Sequence, residues 1–210
     1  MGITTARLAT ALETFADRIH DARDELTALD SAIGDADHGI NMDRGFTAVR
    51  GLLPGLREGD AGSLCKQAGR TLISTVGGAA GPLYGTFFLR LGTTLGEAQE
   101  LAPGDFARGV RAGLEGIITL GKANLDDKTM VDAMVPAVEA LETGAEADFP
   151  AALAAAAHAA AVGRDRVTPL VARKGRASYL GERSAGHQDP GATSTTLLFE
   201  AFRDELGSGD

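Results

Sequence analysis

Apolar positions recur along the chain at helical spacing. Leu8, Leu12, Phe15 and Ile19 step by four, three and four, which places them on one face of a helix over roughly residues 3–29. A second helix is predicted over about 42–54, halted by Pro54-Gly55. The run "AGSLCKQAGRTLIST" predicts a third over about 60–75, and a fourth opens at Pro82 and closes near Gly96. Phe106, Val110, Leu114 and Ile117 mark a fifth, entered through "APGD" with Asp105 as its cap. Met130, Met134, Val138 and Leu141 mark a sixth, the alanine-rich "FPAALAAAAHAAAVGRDRV" a seventh, and Ala192 to Leu206 an eighth. No stretch alternates long enough to make a useful strand. Eight helices with short connections imply one all-α domain over residues 1–210, packed antiparallel around a shared core.

Composition agrees with helices. Aromatics are only 5% of the 210 residues and Trp is absent, whereas small residues are abundant and suit close helix packing better than a sheet. Charge narrows the partners. With 20 Lys+Arg against 29 Asp+Glu the chain carries −9, the wrong sign for a phosphate-backbone binder, so nucleic acid is not an expected partner. One cysteine, Cys65, excludes an internal disulfide framework and reads as a buried thiol. His20 and His158 fall inside helical runs and read as structural. The N-terminus lacks a basic start followed by an apolar core, and no run approaches the ~20 apolar residues needed to span a bilayer, so a cytoplasmic protein is expected.

Three junctions depart from short polar loops, at 30–41, 75–81 and 172–191. In "LDSAIGDADHGINM" the carboxylates of Asp30, Asp35 and Asp37 crowd together between glycines, with His38 and Asn41 beside them. Such a cluster repels itself unless a hard cation joins it, and carboxylates with few other ligands suit Mg²⁺. An EF-hand register fails, because counting from Asp35 puts Gly39 fifth and Phe46 where the bidentate Glu must stand. The turn Thr75-Val76-Gly77-Gly78-Ala79-Ala80-Gly81-Pro82 would expose backbone N–H groups at a helix start, a natural anion site, although no Gly-Lys-Ser/Thr follows to make a Walker A motif. The third junction sets Arg173, Lys174, Arg176 and Arg183 among glycines, a mobile basic segment able to close over phosphates with Arg176 as donor, and Asp189-Pro190-Gly191 then starts the last helix. Singly, these three junctions also read as a capped turn, a packing turn and a solvated loop. A nucleotide-phosphate site with Mg²⁺ accounts for all three.

Four stretches in order, "GDADHGINM", "GGAAGPLYGTFF", "GKANLDDKTMVDA" and "GRASYLGERSAGHQDPGATS", resemble the nucleotide-binding L subunits of dihydroxyacetone kinases over nearly the whole chain. The resemblance implies an eight-helix antiparallel up-and-down barrel with the nucleotide at one end. It implies that Asp30, Asp35 and Asp37 hold two Mg²⁺ bridging the phosphates of ADP. His38, Gly39, Ile40 and Asn41 would contact the nucleotide, as would the backbone of Ala79 and Ala80. Gly121 and Met130 would border the adenine, and Arg176, Asp189, Pro190 and Gly191 would complete the cover. No residue here is implied as a catalytic base. The implied partners are a K subunit holding dihydroxyacetone covalently and a phosphohistidine-carrying M subunit of the phosphotransferase system, with a transcription regulator as a further one and a homodimer as the assembly. ATP-dependent exchange is the alternative to retained ADP. Many relatives read Gly-Gly-Ala-Ser-Gly where this chain has Gly77-Gly78-Ala79-Ala80-Gly81, so Ala80 offers no hydroxyl and weaker retention of nucleotide is expected.

Overall fold

The computed structural model describes residues 2–208. Among the described residues nine α-helices follow one another: α1 (Thr5–Asp21), α2 (Arg23–Ile33), α3 (His38–Leu52), α4 (Ala61–Thr75), α5 (Ala80–Leu95), α6 (Pro103–Gly121), α7 (Met130–Gly144), α8 (Phe149–Val167) and α9 (Pro190–Leu206). The strands are two residues each, β1 (Ile3–Thr4) and β2 (Glu100–Leu101), paired antiparallel with Ile3 opposite Leu101.

From α3 onward each long helix packs on the next, and α9 returns against α1, so the bundle closes on itself. The stripe read from the sequence is the core face: Leu8, Leu12, Phe15 and Ile19 are all fully buried. Aromatic rings of the same core pair edge-on, such as Phe15 with Phe46 at 4.5 Å and Phe106 with Phe202 at 5.3 Å. Helices α4 and α5 approach backbone to backbone. A Cβ on Gly62 would lie 2.1 Å from the Gly96 carbonyl, and one on Gly69 would lie 2.7 Å from the Gly85 carbonyl. Glycine is required at both because the neighbour is main chain and cannot move aside.

Several predicted boundaries shift. The single first helix is two, broken at Ala22. Between Ile19 and Leu26 no fully buried side chain pins the chain, and Asp24 and Glu25 favour a fresh N-terminus there. The junction at 30–41 shrinks to residues 34–37. Asp30 belongs to the last turn of α2, while His38, Gly39, Ile40 and Asn41 open α3, four residues earlier than apolar spacing suggested. Asp105 caps nothing: α6 starts at Pro103 after Ala102, and Asp105 lies within its first turn. Helix α5 starts at Ala80, which puts Pro82 third, still where no intrahelical N–H is needed. The basic segment is largely wound into two short 3₁₀ pieces within Arg176–Ser184, kinked at Gly181, which takes φ +55°. No helix among the described residues is long and apolar enough to cross a membrane.

Candidate functional site

The first turns of α3, α5, α7 and α9 and the last turn of α2 face one cavity of about 200 Å³. Its lining takes His38, Ala80, Met130 and Pro190 from the four helix starts. The positive dipole ends of four helices therefore point into one space, which suits a polyanion.

The acidic corner is built by the α2–α3 turn. Asp30, only 8% exposed, accepts at Oδ2 from the backbone N–H groups of Asp37 (2.8 Å) and His38 (3.1 Å). Its other oxygen faces Gly34, where a Cβ would stand 2.0 Å away, so the turn needs glycine at that point. Ala36 takes a left-handed φ of 62°, folding the chain back. Asp37 occupies the N-cap position of α3 yet makes no capping bond, which leaves its carboxylate free. As a result Asp30, Asp35 and Asp37 offer one oxygen each within 4.8 Å of one another. An oxygen-only donor set of this size fits a hard divalent cation. The guanidinium of Arg176 reaches this corner, with Nη2 2.9 Å from Asp35 Oδ2.

Beside it lies the glycine turn. Gly78 has φ +65° and sits within 3.9 Å, measured from its would-be Cβ, of Asp37 Oδ1. Ala79, at the N-cap of α5, makes no side-chain cap, so the first N–H groups of that helix remain free. A Cβ on Gly81 would fall 2.3 Å from the Val76 carbonyl, which fixes the tightness of the turn.

The cover is fastened from below. Lys128 is fully buried and donates from Nζ to the carbonyls of Thr168 (2.8 Å), Leu170 (2.9 Å) and Ser184 (2.6 Å). Burial pushes its pKa down, with Asp189 opposing. Ser184 Oγ in turn accepts from the Ala172 N–H at 2.9 Å, and Ala172 and Ala177 pack on Ile33 of α2. Asp189 caps α9 by accepting from the Ala192 N–H at 2.7 Å. Its carboxyl is pushed up to about 7, first by withdrawal from water and then by Asp132 and Asp30, against the pull of the Ala192 bond and Lys128. Burial likewise holds the His38 imidazole below its ordinary value, while Asp30 and Asp37 pull the other way. His38 Nε2 lies 3.0 Å from Ser194 Oγ, which is 2.8 Å from the buried Tyr84 hydroxyl.

Of the residues expected from sequence, Asp30, Asp35, Asp37, His38, Asn41, Ala79, Ala80, Met130, Arg176, Asp189, Pro190 and Gly191 share the cavity. Three do not line it. Gly39 faces α2, where a Cβ would meet the Arg23 carbonyl at 2.0 Å. Ile40 is 51% exposed on the outer side. Gly121 ends α6 behind Leu83, which itself lines the cavity. Sequence reading passed over Tyr84, Lys128 and Thr129. Tyr84 reads as core, and Lys128 in "LDDKT" reads as solvated. The one signal for Thr129 is Asp132 three residues on, which closes a capping box at 2.9 Å.

A family model described as the DAK2 domain matches residues 32–204. The ADP-binding subunit DhaL of the PEP-dependent dihydroxyacetone kinase of Escherichia coli is 44% identical over 202 residues, 95% of this chain and 96% of that protein. A corresponding DhaL subunit of Listeria innocua is 42% identical over 91% of each chain. Among solved structures, the dihydroxyacetone kinase from C. freundii in complex with AMP-PNP and Mg²⁺ superposes with a TM-score of 0.73 at 26% identity, over 93% of this chain and 33% of that one.

Proposed function

We propose, from the premise that the chain belongs to the DAK2-domain family of dihydroxyacetone kinase L subunits, that it is the ADP-binding subunit of a phosphotransferase that phosphorylates dihydroxyacetone. The observation that carries this reading is the convergence of four helix starts and three aspartates on one cavity. ADP is retained there as a cofactor, phosphorylated in place by a phosphohistidine on an M-type subunit. The phosphoryl group then passes to dihydroxyacetone held covalently on a K subunit.

Asp30, Asp35 and Asp37 hold two Mg²⁺, whose role is to offset phosphate charge. The N–H groups of Ala79 and Ala80 receive the phosphates, and Met130 borders the base. Arg176, freed from Asp35 as that carboxylate turns to the metal, supplies a planar donor to the phosphates. His38, held neutral by burial, orients rather than charges the site. In this reading activation of the triose falls to the K subunit, and this chain contributes positioning and electrostatics.

A native mass spectrum of the protein purified in Mg²⁺ without added nucleotide tests this. An increment of one ADP and two Mg²⁺ supports retained cofactor. The second reading, a kinase that exchanges ATP, is favoured by the likeness to a longer dihydroxyacetone kinase solved with AMP-PNP, and a bare mass that loads only on adding nucleotide would support it. The same spectra read two further expectations, a homodimer as doubled mass and a regulator as a complex formed only with the loaded chain.

A further inference from the structure

We propose that Arg44, an exposed residue outside the cavity, is a positioning residue that turns the Asn41 amide toward the phosphates and ties down the glycine turn. The inference rests on the reading of the cavity as a nucleotide-phosphate site. Arg44 and Asn41 stand three residues apart on α3 and so share a face. Arg44 Nη2 lies 2.7 Å from Asn41 Oδ1, and Arg44 Nε donates to the Thr75 carbonyl at 2.8 Å.

A guanidinium has donors only, so the Asn41 atom it meets must be the oxygen. That settles the amide orientation: Nδ2 is left as the outward group. Asn41 is 7% exposed and lines the cavity, yet its Nδ2 donates to no protein acceptor among the described residues. An amide whose N–H donors face the cavity and meet no protein acceptor is placed to donate to a bound phosphate. The amide lies against Gly77, where a Cβ would stand 3.1 Å from both Nδ2 and Oδ1.

The second bond acts on the turn itself. Thr75 ends α4, and its carbonyl has no helical partner because the chain leaves the helix for Val76-Gly77-Gly78. Arg44 supplies that partner. One side chain thus joins the end of α4, the orientation of Asn41 and the start of the phosphate turn. Met would fill the space without donating, and Lys would offer one point charge in place of the two-pronged donor.

The test is a double-mutant cycle on Mg²⁺-dependent ADP binding by calorimetry, with Arg44→Met, Asn41→Ala and the two combined. Arg44→Met should weaken ADP by about three- to tenfold, the loss that goes with one oriented hydrogen bond. The double variant should lose less than the sum of the two single losses, because part of the Arg44 effect runs through Asn41. The nucleotide-free protein gives an independent readout: the Asn41 side-chain amide resonances, identified by their absence in Asn41→Asp, should move in Arg44→Met and move less in Arg44→Lys. Additive losses, or an Asn41 amide unmoved by Arg44→Met, would overturn the inference while leaving the nucleotide site intact. Wild-type protein that takes up no ADP would remove the site reading and the inference with it.

Discussion

At the scale of single residues, the metal corner makes the sharpest prediction. Asp35 lies at the open edge of the turn and contributes nothing to the core, so Asp35→Asn should abolish phosphoryl transfer and leave the thermal midpoint nearly unchanged. Activity assayed with the partner subunits, beside a melting curve, checks both halves. Lys128→Met should instead act on stability. It strands three carbonyls in a buried site, and denaturant unfolding should show a loss of roughly 3 kcal/mol or more. Asp189 makes a pH prediction. With its folded pKa near 7 and an ordinary carboxyl value when unfolded, the folded chain holds a proton that the unfolded chain gives up. Its contribution is therefore present at low pH and lost as pH rises toward about 7. Asp189→Asn keeps a capping oxygen and removes that dependence. In metal-free protein, the stability difference of the variant over wild type should climb between about pH 4 and 7 and then level. The acidic turn was legible in the sequence because three carboxylates set among glycines stand out between helical runs, and the fold brings one oxygen of each within 4.8 Å of the others. Lys128 was not, since a lysine directly after two aspartates reads as solvated and only the fold reveals its three carbonyls.

At the scale of elements, apolar spacing marked nearly every helix and misjudged their ends. Turn-favouring residues made 30–41 look like a loop, whereas Asp30 closes one helix and His38 opens the next around Gly34 and Ala36. A residue chosen for chemistry carries the wrong propensity signal, so boundaries blur at the site. The break at Ala22 was hidden for another reason: a helix can bend without changing which face is apolar. The α4–α5 pair shows where element packing is least forgiving. Gly62→Ala would drive a methyl into the Gly96 carbonyl and should cost about 1–3 kcal/mol in denaturant unfolding without touching the cavity. Ala80→Ser, at the first turn of α5, should tighten ADP by severalfold, the worth of one net hydroxyl bond, as read by calorimetry.

At the scale of the whole molecule, an up-and-down ring brings alternate helix starts to the same end. Four of them reach the cavity here, together with the carboxylates of the α2–α3 turn. The all-α class and the helix order were legible because eight amphipathic stripes with short links leave few ways to bury them. Which residues share a space was not, since His38, Ala80, Met130 and Pro190 are far apart in the chain and meet only when the ring closes. The fastening of the cover has a further consequence. The segment from Ala172 to Ser184 is held to the body where the buried Lys128 ammonium donates to the Ser184 carbonyl, where the Arg173 N–H donates to the Asp127 carbonyl and where Ala172 and Ala177 pack on Ile33, so freeing it means undoing these contacts together. Departure of a captive molecule past that segment would then be timed by local unfolding and not by the flicker of a surface loop. Residence would be a kinetic property, long even where equilibrium affinity is modest.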